Sequence, residues 1–306
     1  MKYINILIIS VLFFTSCEKT IYIKIEDQGR KLVVNSIFAS DDSVHIQLLE
    51  SKYIMDGTYQ YFPVEDASIS LFENQTEVET VSQNEFGNYL FSSKLTEAQQ
   101  YSIVVNSTLH GTATAQSYLP DESKIDKIEY QLKLSGESEY KYIENAKFKV
   151  EFTDVANTEN FYQIRAYTKY EEPIIDPNTN EIIGLISRKN FIQIGSEDPS
   201  VYDELYEIPG IFFSDELFDG QQHTISFETD YFNYNNDTQT IYFIQLNSLS
   251  KDLYNYYRSY SQYEETKDNP FAEPVKVYNN IENGFGIFGG YTTAVDSVEI
   301  DIPFKK

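Results

Sequence analysis

Cys17, the only cysteine of the chain, is the residue whose surroundings point most directly to a chemical reaction. Lys2 and an uncharged apolar run over residues 4–14 precede it, which is the pattern of a secretory signal. Phe14 is too large for an ordinary cleavage site, whereas Thr15 and Ser16 directly before the cysteine resemble a bacterial lipobox. We therefore predict that Cys17 is lipidated and becomes the first residue of the mature chain. A signal followed by a free or buried thiol is the alternative.

Lipidation of Cys17 divides the N-terminal region in two. Residues 1–16 are then a lipoprotein signal peptide, and residues 17–31 are a tether between the lipid and the folded chain. Each buried methylene contributes about 0.8 kcal/mol, so several acyl chains anchor the protein durably. No other stretch approaches the roughly 20 apolar residues of a membrane-spanning helix. The sequence thus predicts attachment to a membrane through the N-terminus alone.

Hard oxygen ligands of the kind that calcium prefers occur in two predicted loops. The first candidate set is Asp215, Glu216 and Asp219, and the second is Asp154, Asn157 and Glu159. Neither set matches the twelve-residue EF-hand pattern, and a solvated turn is the alternative for each. Calcium is therefore a possible ligand rather than a required cofactor, and no other cofactor is expected.

The sequence offers no recognisable catalytic motif. His45, His110 and His223 are isolated from one another and lack the short spacings of zinc sites. No Gly-x-Ser-x-Gly elbow and no phosphate-binding Gly-x-x-x-x-Gly-Lys occurs. A dispersed Ser/His/Asp group or a pair of the abundant carboxylates could still converge in space. We accordingly predict a protein that is not an enzyme, with a surface hydrolase acting on polysaccharide or peptide as the alternative.

Aromatic side chains near the C-terminus are the predicted partner-binding residues, because interface cores are rich in aromatic residues and poor in charge. The set comprises Tyr256 and Tyr260 on a predicted helix and Phe285, Phe288 and Tyr291 in a glycine-rich loop over 284–291. The rival interpretation buries the same rings between the helix and the rest of the domain. Two Asp-Ser-Val tripeptides also make Ser43 and Ser297 weak candidates for O-glycosylation.

Alternating apolar and polar residues indicate the elements that must position these groups. Seven short strand patterns over residues 32–119 predict an immunoglobulin-like or transthyretin-like β-sandwich. Residues 124–306 are predicted to form a larger antiparallel β domain, in which 182–186 and 190–194 pair as a hairpin and 200–206 form one or two helical turns. Its one long helix covers residues 251–266, with Ser250 as the N-cap. The expected fold is all-β with one C-terminal helix.

Charge limits the range of partners. The 306 residues carry 48 acidic and 23 basic side chains, for a formal net charge of −25. Such a charge repels nucleic acid and anionic lipid head groups, so neither is an expected partner. The same acidity could attract cations or basic partners, although solubility alone also accounts for it.

Several segments, in their order and spacing, resemble one family. They are Cys17-Glu18-Lys19, Lys31-Leu32-Val33-Val34-Asn35, Leu217-Phe218-Asp219-Gly220, the tyrosine-rich helix, Asn269-Pro270-Phe271-Ala272, Asn279-Asn280-Ile281, Gly284 and Gly289-Gly290-Tyr291. From Cys17 to about Tyr291 the chain resembles uncharacterised lipoproteins of Bacteroidetes-type bacteria that carry a domain of unknown function. No single one of these segments is diagnostic.

Members of that family are commonly encoded beside TonB-dependent outer-membrane transporters. The resemblance implies an outer-membrane lipoprotein that assists such a β-barrel transporter, by capturing an unknown small or polymeric ligand or by gating. It supplies no catalytic residues. Only Glu18 is acidic just after the cysteine, so a surface-exposed and a periplasm-facing location both stay open. An adhesin-like structural spacer is a third possibility.

Overall fold

The computed structural model describes residues 29–300, except for residues 41, 54–56, 58–59, 137–141, 203–207 and 231–239. The predicted signal peptide, most of the tether and the lipidation site at Cys17 lie outside the described residues. Within the described part of the chain, seventeen strands and one helix account for the regular structure. The prediction of an all-β fold with one C-terminal helix is confirmed.

The first eight strands follow the alternation seen in the sequence. They are β1 (Leu32–Ala39), β2 (Ser43–Glu50), β3 (Ala67–Glu73), β4 (Thr76–Val81), β5 (Asn84–Glu85), β6 (Asn88–Lys94), β7 (Gln99–Ser107) and β8 (Gly111–Leu119). In β7 the apolar side chains of Tyr101, Ile103 and Val105 are all buried, while the residues between them are not. One face of the strand therefore packs into a core, as the period of two requires.

The remaining elements are longer. They are β9 (Ile125–Ser135), β10 (Tyr142–Thr153), β11 (Phe161–Ile175), β12 (Ile182–Ile192), β13 (Ile211–Ser214), β14 (Gln222–Asp230), β15 (Thr240–Leu249), α1 (Lys251–Thr266), β16 (Ile281–Glu282) and β17 (Phe285–Ile300). The strands form three sheets. A nine-stranded sheet has the order β12-β11-β15-β17-β1-β2-β6-β5, and β13 pairs with β11 beside this path. The other two have the orders β14-β10-β9 and β16-β8-β7-β3-β4.

Strand β17 joins the two halves of the large sheet, between β15 and β1. Its first part runs parallel to β1, with Val33 opposite Phe285 and Ala39 opposite Tyr291. Its second part runs antiparallel to β15 as far as Ile300. The segment 284–291, predicted as a loop, is therefore mostly strand, because its backbone completes the edge that β1 presents. The predicted domains 32–119 and 124–306 share this strand.

Two separate cores lie between the sheets. The first is built from β1–β3 and β6–β8, and Ile281 and Phe288 from the C-terminal end of the chain join it. The second is built from β10, β11, β13, β14 and β15, with Phe148, Phe152 and Tyr162 among its largest buried side chains. The large sheet thus contributes one face to each of two sandwiches.

Helix α1 has the predicted bounds and the predicted cap. The Leu253 backbone N–H donates to Ser250 Oγ at 3.2 Å, which satisfies one of the unpaired donors of the first turn. Leu253 and Tyr254 are buried against Phe161, Phe212 and Leu249. The helix therefore packs on the face of the large sheet, most deeply through its first turn, and Tyr256 and Tyr257 of the tyrosine stripe pack against the same cluster.

The predicted hairpin between 182–186 and 190–194 is wrong, because β12 is one continuous strand that pairs with β11. The actual turn lies earlier, where Asp176 Oδ1 accepts from the backbone N–H of Asn178 at 2.7 Å and of Thr179 at 3.2 Å. This Asx-type turn is stronger turn chemistry than the stretch between 187 and 189 can offer. The expected helical turn at 200–206 is also not formed at Tyr202, which bridges to Phe212, and 203–207 lie outside the described residues.

Candidate functional site

Three carboxylates from both predicted calcium loops converge at one end of the second core. Asp154 directly follows β10, Asp215 directly follows β13, and Asp219 precedes β14. Each offers an oxygen within 4.8 Å of the others. Asp154 and Asp215 are buried and Asp219 is exposed. We call these three residues the acidic cluster.

Local backbone chemistry explains how the two loops meet. The Gly220 N–H donates to Asp154 Oδ2 at 2.7 Å, and the Asn157 N–H donates to Asp219 Oδ1 at 2.8 Å. Gly220 has φ +67°, and a Cβ there would lie 2.6 Å from the Ala156 Cβ. Only glycine therefore permits the close approach of the two loops.

The carboxylates differ in how well they are satisfied. Asp154 Oδ1 accepts from the Tyr162 hydroxyl and from Asn160 Nδ2, the latter at 3.2 Å. Asp215 is only 3% exposed, and its Oδ2 has no hydrogen-bond partner. Burial raises the pKa of Asp215, and the negative charges of Asp154 and Asp219 raise it further. The site has more negative charge than its hydrogen bonds can accommodate.

The cluster corrects the grouping of the sequence-based calcium candidates. Glu216 is exposed and is not a member, Asn157 contributes its backbone rather than its side chain, and Glu159 forms an ion pair with Lys251 at 2.6 Å. Because 61 or more residues separate Asp154 from its partners in the sequence, only strand pairing could reveal that they meet. Each loop does carry one local signal of a site, which is an Asp directly after a strand.

The aromatic docking set is only partly available to a partner. Phe288 is fully buried at 0% exposure and packs against Phe38 with ring centroids 4.6 Å apart, so its assignment as a partner-binding residue is wrong. Alternate residues of β17 face opposite sides of the sheet, and Phe288 faces the first core. Phe285 is 48% exposed. Tyr291, Tyr256 and Tyr260 are half-buried, and the last two stack with centroids 5.9 Å apart.

A group of exposed apolar side chains lies instead at the end of β11 and β12. We call residues 169–187 the aliphatic hairpin. Its large apolar side chains are exposed and lie on both strands; they are Tyr170, Ile174, Ile175, Ile182, Ile183, Leu185 and Ile186. These residues were not among the predicted binding residues, because isoleucine-rich runs indicate a strand whether or not its side chains are covered. The hairpin extends past the residues that pack on β15, which end at Tyr167, and this could not be read from the sequence.

The two candidate glycosylation residues are both exposed. Ser43 begins β2, and Asp42 Oδ1 accepts from its backbone N–H at 2.8 Å. Ser297 lies in β17, and Asp296 Oδ1 accepts from its N–H at 2.7 Å. Their modification stays a prediction.

Similar solved structures are distant. A protein described as membrane-anchored from Corynebacterium diphtheriae shares 11% identity, and the match covers 85% of this chain and 60% of that one with a TM-score of 0.22. The B domain of a biofilm-associated protein shares 6% identity, with 88% and 86% coverage and a TM-score of 0.20. No curated protein is similar enough to this chain to count as a match.

In the part of the chain that the structure describes, no helix has the length and apolarity to span a membrane.

Membership of a family rests on the sequence itself. One family model matches residues 18–297, which include the sheets, the helix, the aliphatic hairpin and the acidic cluster. The chain therefore belongs to the DUF4249 family, which is defined by a domain of unknown function.

Proposed function

We propose that this chain is a non-enzymatic accessory protein, anchored at the outer membrane through lipidated Cys17, that binds a TonB-dependent transporter. There it captures a ligand or gates the transporter. The observation that carries the binding function is the aliphatic hairpin. Ile183 and Leu185 are 64% and 63% exposed on a two-stranded projection. Clustered exposed aliphatic residues on a soluble surface are typical of protein-interaction sites.

Backbone pairing, an ion pair and a closed turn hold the two strands of the hairpin together. Its two strands pair from Ala166 and Ile192 out to Ile175 and Ile182, with one register shift between Ile174 and Ile175. The Arg188 guanidinium binds the Glu172 carboxylate across the strands at 2.7 Å. The turn is closed by the backbone N–H of Asn180, which donates to the Asp176 carbonyl at 2.9 Å. A preordered strand pair loses little conformational entropy when it binds.

Strand register favours a protein partner over the anchoring membrane. Phe285, at the start of β17, lies opposite Val33, close to where the tether joins β1. Ser297, near the other end, lies opposite Phe243, which in turn lies opposite Tyr167. The 16 residues of β17 span about 50 Å, and the hairpin continues beyond them. The apolar end of the hairpin therefore points away from the end of the sheet where the tether joins.

The class of partner comes from the family resemblance rather than from the geometry. Related lipoproteins are commonly encoded beside TonB-dependent transporters, and the lipobox directs this chain to the same membrane. Both faces of that membrane are compatible with the proposal. Proteinase K added to intact cells would cleave the chain if it is displayed on the surface and spare it if it faces the periplasm.

Co-purification tests the proposal directly. The full chain, tagged at its C-terminus and extracted in mild detergent, should recover a large β-barrel protein. The double variant Ile183→Ser/Leu185→Ser should recover at least about tenfold less, because each lost apolar anchor costs about 1–4 kcal/mol of binding. The matched control is Leu109→Ser/Leu217→Ser, which removes two exposed leucines elsewhere on the molecule.

Three outcomes would count against the proposal. Recovery of the chain alone in several mild detergents would favour a structural spacer. Equal losses in the hairpin variant and in the control would remove the hairpin as the docking element. Turnover of a polysaccharide or peptide by the purified chain would favour the hydrolase alternative.

A further inference from the structure

We infer that the acidic cluster, Asp154, Asp215 and Asp219, is a calcium-binding site. Neither the family nor the proposed function assigns a metal to this chain, and the inference does not depend on the proposed function. It rests on the convergence of the carboxylates and on the unpartnered Oδ2 of buried Asp215. These are two separate observations, one of geometry and one of missing hydrogen bonds.

The charges of the cluster require compensation. Three carboxylates with oxygens within 4.8 Å of one another repel strongly, and two of them are removed from water. Among the described residues, the ion pairs formed by lysine and arginine involve acids outside the cluster. Buried charges are expected to be paired or to coordinate a metal.

The unpartnered oxygen shows where compensation is missing. The oxygens of Asp154 accept from Tyr162, Asn160 and Gly220, and Asp219 accepts from Asn157. Asp215 receives nothing at Oδ2 although the atom is buried. An ionised carboxylate offers about four lone-pair sites, so the other two carboxylates can still coordinate a cation while keeping these hydrogen bonds. A cation between them would satisfy Asp215 without displacing any existing donor.

The donor set selects the metal. All the ligand atoms are carboxylate oxygens, which excludes the nitrogen and sulfur sets typical of zinc. Calcium accepts six to eight oxygens in flexible geometry, whereas magnesium demands a near-ideal octahedron. Irregular loops of two different connections suit the less demanding ion. Asp219 is exposed, so water can complete the coordination shell from that side.

The position of the site suggests what the ion does. The loop after Asp154 connects β10 of the three-stranded sheet to β11 of the large sheet. The loop of Asp215 and Asp219 connects β13, beside the large sheet, back to β14 of the three-stranded sheet. The ion would therefore fasten the two connections that close this end of the second sandwich.

Calcium binding can be measured on the full chain purified in detergent and freed of metal with EDTA. Calcium alone is titrated by calorimetry, and unfolding is followed by circular dichroism. We expect one binding site and a melting temperature about 5 °C higher at a hundredfold excess over the Kd. Magnesium at the same concentrations should bind at least about tenfold more weakly. Absence of both heat and a melting shift up to about 10 mM calcium would overturn the inference.

Variants distinguish a metal site from a merely structural cluster. Asp215→Asn keeps the shape of the side chain and should weaken calcium binding about a hundredfold, because affinity depends on ligand charge. Without calcium it should melt at or above the wild-type temperature, since one repulsive charge is gone. A structural cluster predicts the opposite, a lower melting temperature and no response to calcium in either protein.

Two further variants keep the test decisive. Asp219→Asn changes an exposed side chain, so it should fold even if Asp215→Asn does not, and should bind calcium about tenfold more weakly than the wild type. Glu216→Gln removes an adjacent exposed acid outside the cluster and should bind as the wild type does. An equal loss in Glu216→Gln and Asp219→Asn would mean that general surface charge, rather than the cluster, attracts the ion.

Discussion

The start of β17 and the end of the β11–β12 pair are both apolar and both belong to the nine-stranded sheet, yet they meet opposite environments. Ile287 and Phe288 are buried. Ile183 and Leu185, in the aliphatic hairpin, are mostly exposed. Most of the start of β17, which was predicted to hold partner-binding residues, is buried or half-buried, whereas the isoleucine-rich hairpin, which was not predicted to bind a partner, is exposed.

Covering layers explain this difference. The start of β17 is covered on one face by the five-stranded sheet, through Phe288, and on the other by α1, through Gly289 against Leu253. The large apolar side chains of the aliphatic hairpin, by contrast, are exposed on both strands. Apolar composition shows that a segment can be buried, but the presence of a second layer decides whether it is. Four pairs of variants can break or sharpen this comparison.

The largest loss of stability is expected for Phe288→Ala. Phe288 is fully buried between Phe38 and the rest of the first core, so its removal leaves a cavity. The free energy of unfolding should fall by about 3–5 kcal/mol. Phe285→Ala, on the half-exposed side chain three residues earlier, should cost less than about 1 kcal/mol. Denaturant melts of both variants check the contrast, and similar losses would contradict the burial of this strand.

Glycine replacements should separate the same two regions. Gly286 has φ +114°, and a Cβ there would lie 2.0 Å from the Val34 carbonyl oxygen of β1. Gly286→Ala should therefore destabilise the protein by about 2–4 kcal/mol through backbone strain and overpacking. In the hairpin, a Cβ on Gly184 would meet only the Ile174 side chain at an ordinary 3.6 Å. Gly184→Ala should change the free energy of unfolding by less than about 0.5 kcal/mol.

A pH-dependent contact links the five-stranded sheet to the large sheet around the first core. Burial alone would raise the pKa of Glu79, but hydrogen bonds from the hydroxyl and backbone groups of Ser93 and Ser92 outweigh it and lower that pKa to about 2. Glu79 lies in β4 and the serines in β6, so the contact joins two sheets. Because the folded pKa is below the ordinary 4.5, this stabilisation is present above pH 4.5 and disappears as the pH falls toward 2.

Glu79→Gln measures that contact. At pH 7 the free energy of unfolding of the variant should be about 1 kcal/mol lower than that of the wild type, a value that allows for solvent screening. The difference should shrink as the pH approaches 2. Glu77→Gln, at an exposed position of the same strand, is the control. A difference that stays constant between pH 7 and pH 3 would show that the carboxylate charge is not involved.

The smallest effect on folding is expected for the hairpin variant Ile183→Ser/Leu185→Ser. Both side chains are already in contact with water, so the free energy of unfolding should change by less than about 0.5 kcal/mol per residue. Ile164→Ala, in the fully buried part of β11, should cost about 2–5 kcal/mol. Thermal melts of the two proteins test this. A large loss in the hairpin variant would mean that another part of the chain covers the hairpin.

Local patterns explain why much of the fold was predictable. The bounds of α1 follow from Ser250 as its N-cap and from its periodic side chains, and both signals lie within a few residues. Strands such as β2 and β7 alternate cleanly, because one of their faces is buried. Capping and alternation act over one element, so a single sequence contains the information.

Pairing over long distances explains what was missed. The acidic cluster forms only because β10 pairs with β14 and β11 with β13. The burial of Phe288 depends on β1, which lies some 250 residues earlier in the chain. An alternating pattern shows that a strand pairs with another strand but not with which one, and here several strands of similar composition could pair with it.

The parallel pairing of β1 with β17 has a consequence for the order of folding. The ribosome makes β1 before the other described strands and β17 after them, so the edge of β1 at Val33 stays unpaired until Phe285 has been synthesised. Contacts so distant in sequence close slowly, because a long loop must be ordered before they form. Until then, β1 presents an open edge that other chains could join. The first sandwich is therefore completed only after β17 has been synthesised and has paired with β1.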